Sequence, residues 1–391
     1  MQGRHRSWRD NLGQSRRRGY VKRFWVRSAI YLVFSLGSIV PAFSTGITYT
    51  CDSTIGDPGY VSPTVCAYLN STIAGLYNST FSNATADIYI QYGAITGLAE
   101  STKAFNFVSY STYLSDLAAT GNGDAIDVDA LAALNSLDTG IYGSSNVDIT
   151  SALGTALGIS GMHGVNIFGD TCLSLGAGCY DGVITVTTQA NLTSQAPGQT
   201  LWYRTGNQPS NSYDFYSAVE HETDEILGTA SCIDTTGKSL TDDCGTGVPS
   251  AVDLFRYSSS GHLVTTSALS TTPGAYFSYN GGALNGGDGA VYNTLDNGED
   301  YADFIQNCQF VQDAAGCLGQ SFDITTDSPA GTDGPEINIL NAVGYNVIVP
   351  EPGTMATLGF GFTALGALAW RRRKSIAVAV SVTPLEEAKL D

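Results

Sequence analysis

The chain has 391 residues and carries 36 Asp and Glu against 18 Lys and Arg. Nine of the basic residues lie in positions 1–44 and five beyond 350, so residues 45–350 keep only Lys103, Arg204, Lys238 and Arg256 against 31 acidic residues, a net charge of −27. Such a surface repels phosphate backbones, so no nucleic-acid partner is expected, whereas calcium or a basic substrate suits it.

Taken from the N-terminus, Arg4, Arg6, Arg9, Arg16, Arg17, Arg18, Lys22, Arg23 and Arg27 precede an apolar run from Ala29 to Val40 and then Pro41-Ala42-Phe43-Ser44. Basic, apolar and small-residue segments in that order are what signal peptidase reads, so 1–44 is expected to be a cleaved signal peptide. The apolar run is short for a membrane span. Residues 45–348 show no charge run, Pro-rich linker or steady repeat, and one domain is expected there.

Within it, helices are expected over 64–79, 111–119, 128–136, 214–227 and 336–343, the last stopped by Gly344, and β-rich alternation predicts strands at 86–92, 182–188 and 201–204. That mixture argues for an α+β class. The eight cysteines fall into four close neighbours: Cys51 with Cys66, Cys172 with Cys179, Cys232 with Cys244, and Cys308 with Cys317. None has CxxC spacing, and export implies an oxidising compartment, so four local disulfides are expected. The acidic stretches Asn122-Gly123-Asp124 with Asp127 and Asp129, and Asp288 through Asp303, are of a kind that binds calcium, although neither has EF-hand spacing. Asn70, Asn78, Asn83 and Asn191 begin Asn-x-Ser/Thr sequons, which mean little if the host is bacterial.

The chemistry-bearing stretch runs from Tyr213 to Gly228. On a helix, positions i and i+4 share a face, so His221 and Glu225 can hold one metal ion with Glu222 beside it. This is the geometry of the zincin helix His-Glu-x-x-His, with Glu in place of the second His. Phe215, Val219, Ile226 and Leu227 would bury the other faces, and Gly228 would end the helix.

Around this helix the chain resembles a family of metalloproteases with a metzincin-like domain. The resemblance rests on Asp214 to Glu222, Asp253 to Ser258, Ala275 to Ser278, Gly298 to Phe304 and Glu336 to Tyr345. It implies zinc held by His221 and Glu225, with Glu222 as general base for hydrolysis by metal-activated water. Asp253 is the expected third ligand, and His262 is its chemically apt alternative; His163, between Met162 and Gly164, reads as a structural or surface histidine. Where the longer metzincin pattern has His or Asp, this chain has Ser231.

Near the C-terminus, Val349-Pro350-Glu351-Pro352-Gly353 precedes an apolar stretch from Met355 to Trp370 and then Arg371-Arg372-Arg373-Lys374. This resembles the PEP-CTERM sorting signal of Gram-negative bacteria, spanning 349–374 and followed by a tail at 375–391. By that resemblance an exosortase-type enzyme reads the Pro-Glu-Pro, an apolar helix holds the protein in the inner membrane during sorting, and the basic cluster stays cytoplasmic. The expected function is a surface-sorted, zinc-dependent endopeptidase acting on a protein or peptide substrate. The rival expectation is a non-catalytic zincin-fold binding protein of the envelope or extracellular matrix.

Overall fold

The computed structural model describes residues 46–348 apart from 138–144, 234–239, 241–243, 246, 260–261, 265–273, 284–289, 294–298, 306–307 and 326–333. The expected signal segment, the sorting segment 349–374, its apolar helix and the tail 375–391 therefore lie outside the described residues, as does Asp288.

In chain order the elements are β1 (Ile47–Cys51), α1 (Pro63–Tyr68), a π turn (Leu69–Ile73), α2 (Ala74–Thr80), β2 (Ala86–Gly93), β3 (Ala99–Lys103), β4 (Phe105–Ser109), α3 (Tyr110–Thr120), α4 (Ala125–Ser136), β5 (Asn146–Thr150) and α5 (Ser151–Ala156). There follow β6 (Gly164–Val165), β7 (Thr171–Cys172), β8 (Gly182–Thr187), α6 (Gln189–Gln195), β9 (Thr200–Trp202), β10 (Ser212–Asp214), α7 (Phe215–Asp224) with a π turn (Glu225–Thr229), a 3₁₀ turn (Val252–Phe255), β11 (Arg256–Ser259), β12 (His262–Leu263), β13 (Tyr276–Phe277) and α8 (Pro335–Val343). The fold is α+β. Among the described residues no helix is long and apolar enough to cross a membrane.

The largest sheet has the order β1-β2-β8-β3, with β1, β2 and β8 parallel and β3 antiparallel to β8 at the edge. Strand β8, Gly-Val-Ile-Thr-Val-Thr, is buried along almost its whole length, as a strand covered on both faces should be. In β2 the alternation survives: Ala86, Ile88 and Ile90 point into the core while Asp87 is exposed. Helix α7 packs against this sheet. Its π turn comes so close to β8 that a Cβ on Gly182 would overlap Ile226, which is why glycine opens the strand.

All four neighbouring cysteine pairs are disulfides, at separations of 15, 7, 12 and 9 residues, and no described cysteine is free. The expected helix 64–79 is three consecutive pieces, because a π turn at Leu69–Ile73 widens it in the middle. The expected strand 201–204 stops at Trp202, since Arg204 adopts φ 53° and turns the chain out of the sheet. In the first acidic stretch, Asp124 caps α4 by accepting from the N–H groups of Ile126 and Asp127, at 2.9 and 3.0 Å, and Asp127 accepts from Gly123 N–H at 3.1 Å. Those oxygens serve the helix terminus.

Candidate functional site

Helix α7 is fixed at both ends and from below. At its start Asp214 accepts from Tyr216 N–H at 2.9 Å and from Arg204 Nε at 2.8 Å. Arg204 also reaches Asp323 at 2.5 Å, Glu220 at 3.5 Å and the Phe322 carbonyl at 3.0 Å, tying the helix to the 320–324 segment. On the core side Phe215, Val219, Ile226 and Leu227 are fully buried, worth roughly 1.5–3 kcal/mol each. Tyr49 bonds Thr223 at 2.9 Å and Tyr77 donates to Asp224 at 2.7 Å. At the far end Gly228 takes φ 128°, which glycine adopts without strain. With every other face committed, His221, Glu222 and Glu225 line a cleft of about 580 Å³ bounded by β3 on one side and by 299–303 and 310–317 on the other.

The expected pair, His221 and Glu225, is brought together, with Nε2 of the imidazole 3.9 Å from Glu225 Oε1. Nε2 also lies 3.4 Å from Asp303 Oδ1. These three donor atoms lie within 4.8 Å of one another. Around an ion with bonds of about 2.0–2.1 Å, tetrahedral ligand atoms sit roughly 3.3–3.5 Å apart; the His221–Asp303 spacing already matches this, and Glu225 would have to move closer. The Nδ1–H of His221 donates to the Val311 carbonyl at 3.0 Å, the outer contact that leaves Nε2 free for a metal. Asp303 Oδ1 is buried and accepts no hydrogen bond from any described residue. One nitrogen and two carboxylate oxygens, one of them buried and accepting no hydrogen bond from a described residue, fit a divalent cation.

The electrostatics are those of a cation-hungry pocket. Burial works against a charged His221, but Asp303, Glu222 and Glu225 outweigh it and push its pKa up to about 10. Burial, then the neighbouring Glu225, raises Glu222 to about 8. Burial likewise lifts Asp303 well above the carboxylate range and Asp300 to about 7. Glu225 goes the other way: burial would raise it, yet Lys103, His221 and Ser101 hold it below the usual value.

Residues 349–374 match the PEP-CTERM protein-sorting motif. The match implies export, an exosortase-type sorting partner and sorting to the envelope of a Gram-negative-type bacterium. No curated protein and no solved structure matches the chain.

Asp253 is not part of the cluster. It lies in the 3₁₀ turn, fully buried, and its carboxylate accepts from Ser231 Oγ at 2.6 Å, Cys232 N–H at 2.9 Å, and Ser250 N–H and Oγ at 3.0 and 2.9 Å. An oxygen pair holding four donors anchors loops, and the carboxylate that the fold brings to His221 is that of Asp303. His262 is exposed on β12, and His163 is exposed with its backbone bonded to Asn106. A second grouping, Asp148 with Cys232 and Cys244, has its sulfurs joined in a disulfide. Asp303 was legible as part of the shared block Gly298 to Phe304 and of an acidic stretch, but only the fold brings it to His221.

Proposed function

We propose that the chain is an exported, envelope-sorted, zinc-dependent endopeptidase whose catalytic domain, residues 45–348, is metzincin-like. The observation that carries this reading is the convergence of His221 Nε2, Glu225 Oε1 and Asp303 Oδ1, with Glu222 in the same cleft. Zinc bound there supplies Lewis acidity toward a peptide carbonyl and toward water. Glu222 accepts the proton of the attacking water at its carboxylate and returns it to the departing amine. In the metal-free protein burial and Glu225 raise its pKa, and a bound cation opposes that rise, which favours the ionised form a base needs.

Strand β3 supports a peptide substrate. It is the edge of the sheet, it lines the cleft, and an extended chain laid beside it would add a strand through backbone hydrogen bonds. The acidic lining favours chains bearing basic side chains.

One contact favours the rival reading, a non-catalytic zincin-like scaffold: Lys103 is ion-paired to Glu225 at 2.9 Å, so a cation is already present. Glu222→Gln separates the two. The enzyme reading expects zinc still to bind while cleavage of an unfolded protein falls by about 10²–10⁴-fold, the usual worth of a general base. His221→Ala should lose the metal as well. A folded wild-type protein that takes up no divalent metal, with Glu222→Gln indistinguishable from it, hands the function to the scaffold.

A further inference from the structure

We propose that Lys103 is a positioning residue that, with Ser101, holds Glu225 by one oxygen, so that the Lys103–Glu225 pair stands where a two-histidine helix has a neutral imidazole. The inference rests on reading His221, Glu225 and Asp303 as a cation site.

Ser101 and Lys103 are two residues apart on β3, so their side chains share a face of the strand, and that face meets α7. Ser101 Oγ donates to Glu225 Oε2 at 2.5 Å, Lys103 Nζ donates to the same oxygen at 2.9 Å, and Lys103 Nζ also lies 2.9 Å from Ser101 Oγ. Both donors take Oε2. The other oxygen, Oε1, faces His221 Nε2 at 3.9 Å. A free carboxylate can chelate an ion with both oxygens, whereas one gripped in this way offers a single donor, as an imidazole does. The pair is out of solvent, with side-chain exposures of 8% for Lys103 and 10% for Glu225, so the ammonium is not a loosely tethered surface charge. Its charge cancels that of Glu225, and the donor set keeps one uncancelled carboxylate, Asp303, instead of two.

The neutral-imidazole equivalence predicts that lysine and glutamate must be exchanged together. Glu225→His alone takes from a buried ammonium its hydrogen-bonded carboxylate and leaves it the attraction of Asp300 and Glu222, and Lys103→Met alone frees a second carboxylate charge. The full chain in detergent, with chelator present, is melted as wild type, Lys103→Met, Glu225→His and the double variant. We expect the double variant to melt about 5 °C or more above Glu225→His, a shift of the size that one buried interaction produces. Equal melting of those two overturns the inference, whether or not the wild type binds metal. Zinc titration then tests the consequence: Lys103→Met should bind about tenfold or more tightly than wild type, because a neighbouring positive charge is gone, and Lys103→Arg should stay near wild type. Unchanged affinity in Lys103→Met also overturns it. Should that variant fail to fold, Lys103→Gln, which keeps a donor without the charge, gives the same comparison. A wild type that binds no zinc removes the cation-site reading and leaves the melting comparison to decide the pairing.

Discussion

Nε2 of His221 lies 3.4 Å from Oδ1 of Asp303, a buried oxygen to which no described residue donates a hydrogen bond. Buried acceptors are almost always satisfied, so this oxygen depends on positive charge at the His221 position, from the imidazolium in the metal-free protein or from a bound cation in its place. The relationship ranks two aspartates against each other.

Asp303→Ala should lower zinc affinity by more than the roughly 10–100-fold typical of losing an outer-shell contact, because it removes a ligand itself. Asp253→Ala should leave zinc binding near wild type but destabilise the fold by about 2–4 kcal/mol, since Ser231, Cys232 and Ser250 lose their acceptor. Zinc titration and urea unfolding of both variants read the contrast. The opposite ranking would return the third position to Asp253.

Arg204 is the second critical charge. It pairs with Asp214, Glu220 and Asp323 while only 12% of its side chain is exposed, so removing it leaves carboxylates buried without their counter-ion. Arg204→Met is expected to cost about 3–5 kcal/mol in urea unfolding. Arg204→Lys should recover little, because one ammonium cannot reproduce contacts made by Nε, Nη1 and Nη2. A loss below about 1 kcal/mol would place the anchoring of α7 in its apolar face instead.

What the sequence disclosed follows from interaction range. The helix under the site is written locally: Asp214 caps it, the apolar spacing from Phe215 to Leu227 turns one face inward, and Gly228 supplies the left-handed stop. His221 and Glu225 are i and i+4, and the disulfides close loops of 7 to 15 residues, so both are short-range facts. Strand β3 was missed because Ala-Glu-Ser-Thr-Lys has no apolar alternation; it is held at the edge by β8 alone within its sheet. For the same reason Lys103, 122 residues from Glu225, carried no signal, and Asp303 could not be told from Asp253 until the loops were folded. Both are polar groups chosen by contacts that have no periodicity to read.

Stability without metal should fall as pH rises from about 4.3 through about 7. Glu336 is fully buried, and burial raises its pKa to about 7, against about 4.3 in an unfolded chain. A carboxylate raised in the folded state contributes stability that is complete below the unfolded pKa and is lost as pH climbs through the folded one. His221, raised to about 10, acts in the same direction above about 6.5. Glu225, which is lowered, matters only in more acid solution. Glu336→Gln keeps a group of similar shape beside Gln312 N–H and removes one titration, so its melting temperature in chelator should fall less steeply with pH than that of wild type. Parallel slopes for the two proteins would assign the pH dependence to other groups.

The sorting motif follows directly on backbone contacts that hold residues 347 and 348 to the domain. Val347 bridges Phe81, and the N–H of Ile348 donates to the Thr80 carbonyl at 2.7 Å, one residue before the matched segment 349–374. Pro350-Glu351-Pro352 follows that last bond by only two to four residues of sequence. A sorting enzyme closing on Pro350-Glu351-Pro352 must therefore either accommodate the body of the protein or peel residues 347–348 away from Thr80 and Phe81. Inserting ten Gly and Ser residues after Ile348 removes both requirements, and pulse-chase of the exported chain should then show processing several-fold faster. The same insertion after Lys374 should change nothing, because it lies beyond the matched segment. Equal rates for wild type and the first insertion would mean that the sorting enzyme reads the motif against the folded domain without hindrance.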